Sequence, residues 1–128
     1  MSRYNKNFGD FGESAAAEYL TKIGYKILSQ KYYTPFGEID IIALSPCGST
    51  LVFIEVKTRK DKKFGMAAQS IDKTKIRRIV KSAQVYVSEN PADFDCRFDV
   101  IEVYGSAANG VSEINHIENA FFDVSEYF

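Results

Sequence analysis

The 128-residue sequence contains little histidine and cysteine, and this scarcity excludes several kinds of site. His116 is the only histidine, so we expect neither histidine-based catalysis nor a histidine-rich metal site. Cys47 and Cys96 belong to no CxxC motif or Cys/His cluster, which predicts two free thiols rather than a zinc site or a disulfide framework. The sequence also lacks the GxGxxG, Walker and GxSxG motifs.

Long apolar runs are absent as well. No segment approaches the roughly 18 apolar residues that a membrane helix requires, and the first residues lack the apolar stretch of a signal peptide. We therefore expect a cytoplasmic protein with no membrane association. The composition, 45% hydrophobic and 26% charged, is typical of a globular protein, and the length predicts one domain spanning residues 1–128.

What the sequence does contain is a central hairpin pattern, GEIDIIALSPCGSTLVFIEVKTR, over residues 37–59. A two-residue turn at Cys47-Gly48 would pair residues whose numbers sum to 95. Asp40 would then lie opposite Glu55, about 5 Å away between Cβ atoms, and Glu38 would lie opposite Lys57. A turn one residue longer would shift this register.

Two opposed carboxylates repel each other unless a cation lies between them. Hard oxygen ligands suit magnesium or manganese, and a lysine on the same face can orient water or stabilise negative charge. Asp40, Glu55 and Lys57 therefore predict a metal-dependent phosphodiesterase site. The alternative is a solvated sheet face, but Leu51 and Phe53 share the face of Glu55 and favour a covered one.

The remaining periodicity predicts an α/β fold with a central mixed sheet flanked by two helices, in the order α-β-β-β-α-β. Residues 1–9 are interpreted as a mobile leader. The predicted elements outside the hairpin are a helix from Asp10 to Ile23, an edge strand from Tyr25 to Tyr33, a helix from Ala67 to Ser88, a strand from Arg97 to Tyr104, and a strand or extended arm from Val111 to Phe122.

Glu13 is an acid on the apolar side of the first predicted helix. It precedes Ala16 and Ala17 by three and four residues, which places it on their face. If that face packs on the sheet, Glu13 is a candidate third acid near the metal. The alternative is a first-turn glutamate that is favoured by the helix dipole.

Charge is strongly segregated along the sequence. Between Lys57 and Lys81 ten basic residues face two acids, a net charge of +8, whereas residues 89–128 carry −8. A basic block beside the predicted site suits a phosphate-backbone partner, although a solvated helix face would look the same. The candidate nucleic-acid-binding residues in this block are Arg59, Lys60, Lys73, Lys75 and Arg78.

These motifs resemble a known group of proteins. An acid in a first helix, an aspartate on one strand and Glu-x-Lys on the next resemble the PD-(D/E)xK nuclease superfamily, which includes restriction enzymes and archaeal Holliday-junction resolvases. The segments GEIDIIA, LVFIEVKTR, RFDVI and HIENAF, spread over nearly the whole chain, resemble more closely the YraN-like family of predicted endonucleases. Ile39 stands where the superfamily pattern has proline, which lowers the specificity of the match.

The resemblance implies a restriction-endonuclease-like core and a role for each matching residue. Asp40 and Glu55 would be metal ligands, the Val56 carbonyl would be a further ligand, and Lys57 would be the catalytic lysine. Glu13 would be the helical acid of the resolvase-like branch. Since some branches carry a functional glutamine on the second helix, the resemblance also implies nucleic-acid binding by Gln69.

We therefore expect a Mg²⁺- or Mn²⁺-dependent endonuclease that cleaves nucleic acid, with DNA favoured over RNA and branched DNA among the candidate substrates. Related resolvases work as dimers, which suggests a homodimer through the edge strand or the C-terminal HIENAFFDV. The alternative is a non-catalytic nucleic-acid-binding module, or a protein-interaction adaptor, that retains the nuclease fold. An enzyme acting on a small phosphate ester is a third, weaker interpretation.

Overall fold

The computed structural model describes residues 2–60 and 72–121, with side chains from residue 8 onward. Its elements follow the predicted order, and the segment predicted as a strand or extended arm from Val111 contains the last strand. They are α1 (Ser2–Lys22), β1 (Lys26–Thr34), β2 (Gly37–Leu44), β3 (Thr50–Arg59), α2 (Lys73–Glu89), β4 (Asp95–Ser106) and β5 (Gly110–Ile117). Neither described helix has an apolar stretch that could cross a membrane.

The five strands form one mixed sheet in the order β1-β2-β3-β4-β5. β3 and β4 are parallel, and the other neighbours are antiparallel. The parallel pair arises because α2 lies in the connection from β3 to β4. α1 packs on one face of the sheet and α2 on the other, which matches the predicted restriction-endonuclease-like core. The first strand lies at an edge, as predicted.

The predicted hairpin register is confirmed for the paired part of β2 and β3, which runs from Ile41 opposite Ile54 to Leu44 opposite Leu51. The turn itself differs from the prediction. The Ser45 amide donates to the Thr50 carbonyl at 2.9 Å, so four residues, 46–49, join the strands instead of two and the register is kept. Within this connection the Gly48 amide donates to the Ser45 carbonyl at 2.8 Å, which centres a β-turn on Pro46-Cys47. Gly48 then has a φ of 78°, which glycine adopts without strain.

The two faces of the hairpin pack against different helices. Ile41 and Ile54 belong to the apolar cluster beneath α1, and Phe53 belongs to the cluster beneath α2. Strand alternation predicts that Ile39 and Ile41 share a face, but Ile39 lies in the α2 cluster and Ile41 lies in the α1 cluster. The pairing of β2 with β3 begins at Ile41, so Asp40, the residue before it, lies outside the ladder and the strict two-residue period does not extend to it.

The predicted start of the first helix is corrected by the structure, and the predicted start of the second helix lies outside the described residues. The mobile leader is wrong for residues 2–9, because α1 begins at Ser2 and Phe8 stacks on Phe11 one helical turn later. α2 begins at Lys73, and the Asp72 carboxylate caps it by accepting from the Lys75 amide at 2.8 Å. The predicted start of this helix at residue 67 lies outside the described residues.

Candidate active site

Three carboxylates from two elements converge near the start of β2. Glu13 of α1 and Glu38 and Asp40 of β2 each offer an oxygen atom, and these oxygens lie within 4.8 Å of one another. Glu13 reaches the sheet because α1 approaches β3 closely at Gly12, where a Cβ would clash with the Thr58 hydroxyl. The bare backbone of Gly12 therefore holds Glu13 near the strands.

Asp40 occupies the position where the β2–β3 ladder ends. Its Oδ2 accepts the Val56 amide hydrogen at 2.8 Å, so a side chain replaces the next backbone partner. Burial, and then the charge of Glu55 and a hydrogen bond shared with it, raise the pKa of Asp40 to about 9. The structure thus brings Asp40 and Glu55 together and links Asp40 to Val56 through the amide rather than the carbonyl.

Glu55 lies in the interior, with only 4% of its surface exposed. Its Oε2 atom pairs with Lys75 Nζ at 3.1 Å and with Lys57 Nζ at 3.6 Å. Burial lowers the pKa of Lys75, but the charge of Glu55 and a hydrogen bond to it raise the pKa above the ordinary value of 10.5. The predicted lysine of the Glu-x-Lys pattern is therefore joined by a second lysine from α2.

A third lysine lies on the opposite side of the acidic group. Lys31 Nζ contacts Asp10 Oδ1 at 2.8 Å and Glu13 Oε1 at 3.1 Å. The hydrogen bond to Asp10 is the main reason that the pKa of Lys31 is raised. Burial in turn raises the pKa of Glu13. Lys31 adopts a φ of 52°, an uncommon conformation for a residue with a side chain.

A cleft of about 200 Å³ opens between the acids and the first turns of α2. Asp40 and Glu38 lie on its strand side, and Lys75 and Arg78 lie on its helix side. Arg78 comes close to the strand because Gly37 has no side chain, and a Cβ there would be 3.2 Å from that of Arg78. Negative and positive groups thus face each other across one opening.

The residues predicted to bind nucleic acid are only partly gathered at this cleft. Lys75 and Arg78 line it, and Lys73 is exposed at the start of α2. Arg59 ends β3, and Lys60 lines a separate cavity of about 440 Å³ beside the β4–β5 turn. Gln69 lies outside the described residues, so its role stays a prediction.

Sequence reasoning missed two groups that take part in this arrangement. Glu38 stands two residues before Asp40, and the period of a strand was a signal that the two acids would be neighbours. Lys31 has no such signal, because its contact with Glu13 depends on how β1 and α1 meet. Lys75 was predicted for nucleic-acid binding, but not as a partner of Glu55.

The fold and the cleft define an α/β protein of the restriction-endonuclease-like type, with carboxylates and lysines gathered around one cleft. A family model, "Uncharacterised protein family UPF0102", matches residues 12–103. The chain therefore belongs to UPF0102, the YraN family. The predicted family is confirmed, and the match covers both the acids and the lysines of the cleft.

Bacterial relatives match over almost their full length. A UPF0102 protein of Caldanaerobacter subterraneus is 45% identical over 94% of this chain and 100% of its own. One from Caldicellulosiruptor saccharolyticus is 44% identical over 91% of this chain and 98% of its own. Among solved structures, SfsA of Pyrococcus furiosus in complex with Ca²⁺ gives a TM-score of 0.31 at 12% identity, over 90% of this chain and 63% of SfsA.

Proposed function

We propose that this protein is a metal-dependent endonuclease that hydrolyses phosphodiester bonds in nucleic acid, with branched DNA as the first substrate to test. The observation that carries the proposal is the convergence of Asp40, buried Glu55 and Lys57 on adjacent strands. The Glu13 and Glu38 carboxylates extend this group from the other side.

The donor atoms at the cleft fit a hard divalent cation. Glu13, Glu38 and Asp40 offer oxygens that lie within 4.8 Å of one another, and Glu55 adjoins Asp40. Oxygen donors of this kind are the ligands that Mg²⁺ and Mn²⁺ prefer. A bound ion would supply Lewis acidity at the scissile phosphate and a more acidic water.

The chain's own residues would position the reactants around such an ion. The Val56 amide fixes the Asp40 carboxylate by its 2.8 Å hydrogen bond, so that ligand is oriented before a substrate arrives. Lys57, a half-buried side chain, would hold a water or stabilise negative charge developing on phosphorus. Arg78 and Lys73 would contact flanking phosphates.

A non-catalytic nucleic-acid-binding module is the second candidate. The observation that favours it is that Glu55 is already paired with two lysines. Such a module would bind nucleic acid with a strong salt dependence, and Glu55→Gln would leave its affinity unchanged.

The test is cleavage of end-labelled four-way junction, flap, duplex and single-stranded DNA with Mn²⁺ or Mg²⁺. Wild-type protein should cleave at least one substrate, and Glu55→Gln and Asp40→Asn should each reduce the rate about a hundredfold or more. Glu18→Gln is the control, because it removes a carboxylate that is 68% exposed on α1 and pairs with Lys22 rather than with the cleft, and its rate should equal that of wild type.

The outcomes separate the two candidates. Equal cleavage by wild type and Glu55→Gln would identify a contaminating nuclease. Salt-sensitive binding without cleavage, in wild type and both variants, would overturn the endonuclease proposal in favour of the binding module.

A further inference from the structure

The first turn of α2 carries charges of the wrong sign for a helix N-terminus. Lys73 and Lys75 occupy it, and it contains no acid. Acidic side chains are stabilising at this end, because the helix dipole is positive there, and cations are unfavourable. The Asp72 carboxylate at the N-cap offsets this in part, but it accepts from the Lys75 amide, so the Lys75 ammonium still needs a compensating interaction elsewhere.

Glu55 provides that compensation for Lys75. The Lys75 ammonium lies 3.1 Å from Glu55 Oε2, closer than the ammonium of Lys57 at 3.6 Å, and both contact the same oxygen atom. Glu55 is 4% exposed, whereas 44% of the Lys75 side chain is exposed. The acid is therefore fixed within the sheet, and the lysine is the partner that has room to move.

The position of Lys75 makes it a competitor for any cation that binds the acids. Its side chain lines the same cleft as Glu38 and Asp40. A divalent ion held by Asp40 and Glu55 would stand beside the ammonium group, and two cations at that separation repel each other. Occupation by the ion and pairing of Lys75 with Glu55 are thus opposed.

We propose that Lys75 is a built-in counter-ion of Glu55 that a divalent metal displaces, so that metal binding releases this lysine into the cleft. This inference rests on the proposed function, which supplies the metal. It concerns Lys75, to which the proposed function gives no contact with the metal or with the carboxylates. Released Lys75 stands beside Arg78 on the helix side of the cleft, where a substrate phosphate would meet both. Lys75 is in this sense a positioning residue.

The test is Mn²⁺ affinity, measured by isothermal titration calorimetry without nucleic acid. Lys75→Gln removes the competing charge, so Mn²⁺ should bind about five- to tenfold more tightly than to wild type. Lys75→Arg keeps the charge and should bind Mn²⁺ as wild type does. Lys22→Gln is the control, since it removes one positive charge from a side chain that is 72% exposed on α1, and its Mn²⁺ affinity should not change. Circular dichroism confirms that each variant is folded.

Unchanged or weaker Mn²⁺ binding by Lys75→Gln would overturn the inference, and so would the same gain in Lys22→Gln. Absence of Mn²⁺ binding by wild type would overturn it as well. The proposed nuclease activity fails separately. Tighter Mn²⁺ binding by Lys75→Gln without DNA cleavage by wild type would support the counter-ion and reject the nuclease. Cleavage of DNA by wild type, together with an unchanged Mn²⁺ affinity of Lys75→Gln, would support the nuclease and reject the counter-ion.

Discussion

Asp99 of β4 is a fully buried carboxylate whose partners come from β4, β5 and the segment after β5. Arg97 donates to both of its oxygens at 2.9 Å. His116 Nε2 lies 2.7 Å from Oδ2, and the Asn119 amide donates to Oδ1 at 3.0 Å. Burial alone would raise the pKa of Asp99, but the hydrogen bonds from His116 and Arg97 lower it below the ordinary value of 3.8.

We expect Asp99→Asn to reduce the free energy of unfolding by about 3 kcal/mol at pH 7, because it leaves the partly buried Arg97 with only the exposed carboxylate of Glu118 as its partner. A lowered pKa in the folded state stabilises the protein above the unfolded value and is lost as pH falls through the folded value. The difference between variant and wild type should therefore shrink as the pH falls below about pH 4. Urea unfolding at each pH measures it.

Asp95→Asn is the control for this experiment, since Asp95 is an exposed aspartate at the start of the same strand. It should change stability by less than about 0.5 kcal/mol at every pH. A gap between Asp99→Asn and wild type that stayed constant down to pH 3 would contradict the role given to the Asp99 charge.

The proximity of Asp40, Glu55 and Lys57 could be predicted because one rule governs it. The register of β2 and β3 can be read from the sequence, and it brings these residues together although the ladder itself stops at Ile41. The contacts of Lys31 and Lys75 could not be predicted in this way. They depend on where a long, flexible side chain ends after two elements have packed together.

The close approach of α1 to β3 requires a residue without a side chain at position 12 of the helix. A Cβ at Gly12 would clash with the side chain of Thr58. Gly12→Ala should therefore push the helix outward and reduce the free energy of unfolding by about 1–3 kcal/mol. It should also weaken Mn²⁺ binding, because Glu13 moves with the helix. Urea unfolding and calorimetry measure the two effects.

Gly9→Ala provides the matched control on the same helix, because nothing lies within 4 Å of a Cβ built there. Alanine forms helices better than glycine, so this variant should gain up to about 1 kcal/mol of stability. If both alanine variants were equally stable, the contact between α1 and β3 would not be as tight as the structure indicates.

At the level of whole elements, the hairpin shows why a register can be predicted more securely than a turn. The register follows from apolar residues that must face a core, and Ile41 opposite Ile54 satisfies that demand. The turn type depends on small differences among local conformations, and here it is centred on Pro46-Cys47. The face of Ile39 was mispredicted because Asp40 interrupts the ladder, which is a property of the candidate site rather than of the strand pattern.

Part of the basic block seen in the sequence forms an exposed, positively charged surface on α2. Lys73, Arg77 and Arg78 are exposed on α2, on one side of the sheet. Glu118, which follows β5, pairs with Arg97 at 3.4 Å and remains 60% exposed. A phosphate backbone approaching the α2 side would meet positive charge next to the cleft, so α2 is the surface on which nucleic acid should lie.

The salt dependence of DNA binding tests this orientation. Each lost phosphate contact reduces the slope of log K against log salt by about 0.9, so the double variant Lys73→Ala, Arg78→Ala should reduce it by about 1.8. The double variant Lys22→Ala, Lys26→Ala removes two exposed charges away from α2 and should leave the slope unchanged. Fluorescence anisotropy with duplex DNA in EDTA, over a series of KCl concentrations, gives the slopes. Equal losses in both variants would mean that net charge alone attracts DNA, and α2 would then have no special place in its binding.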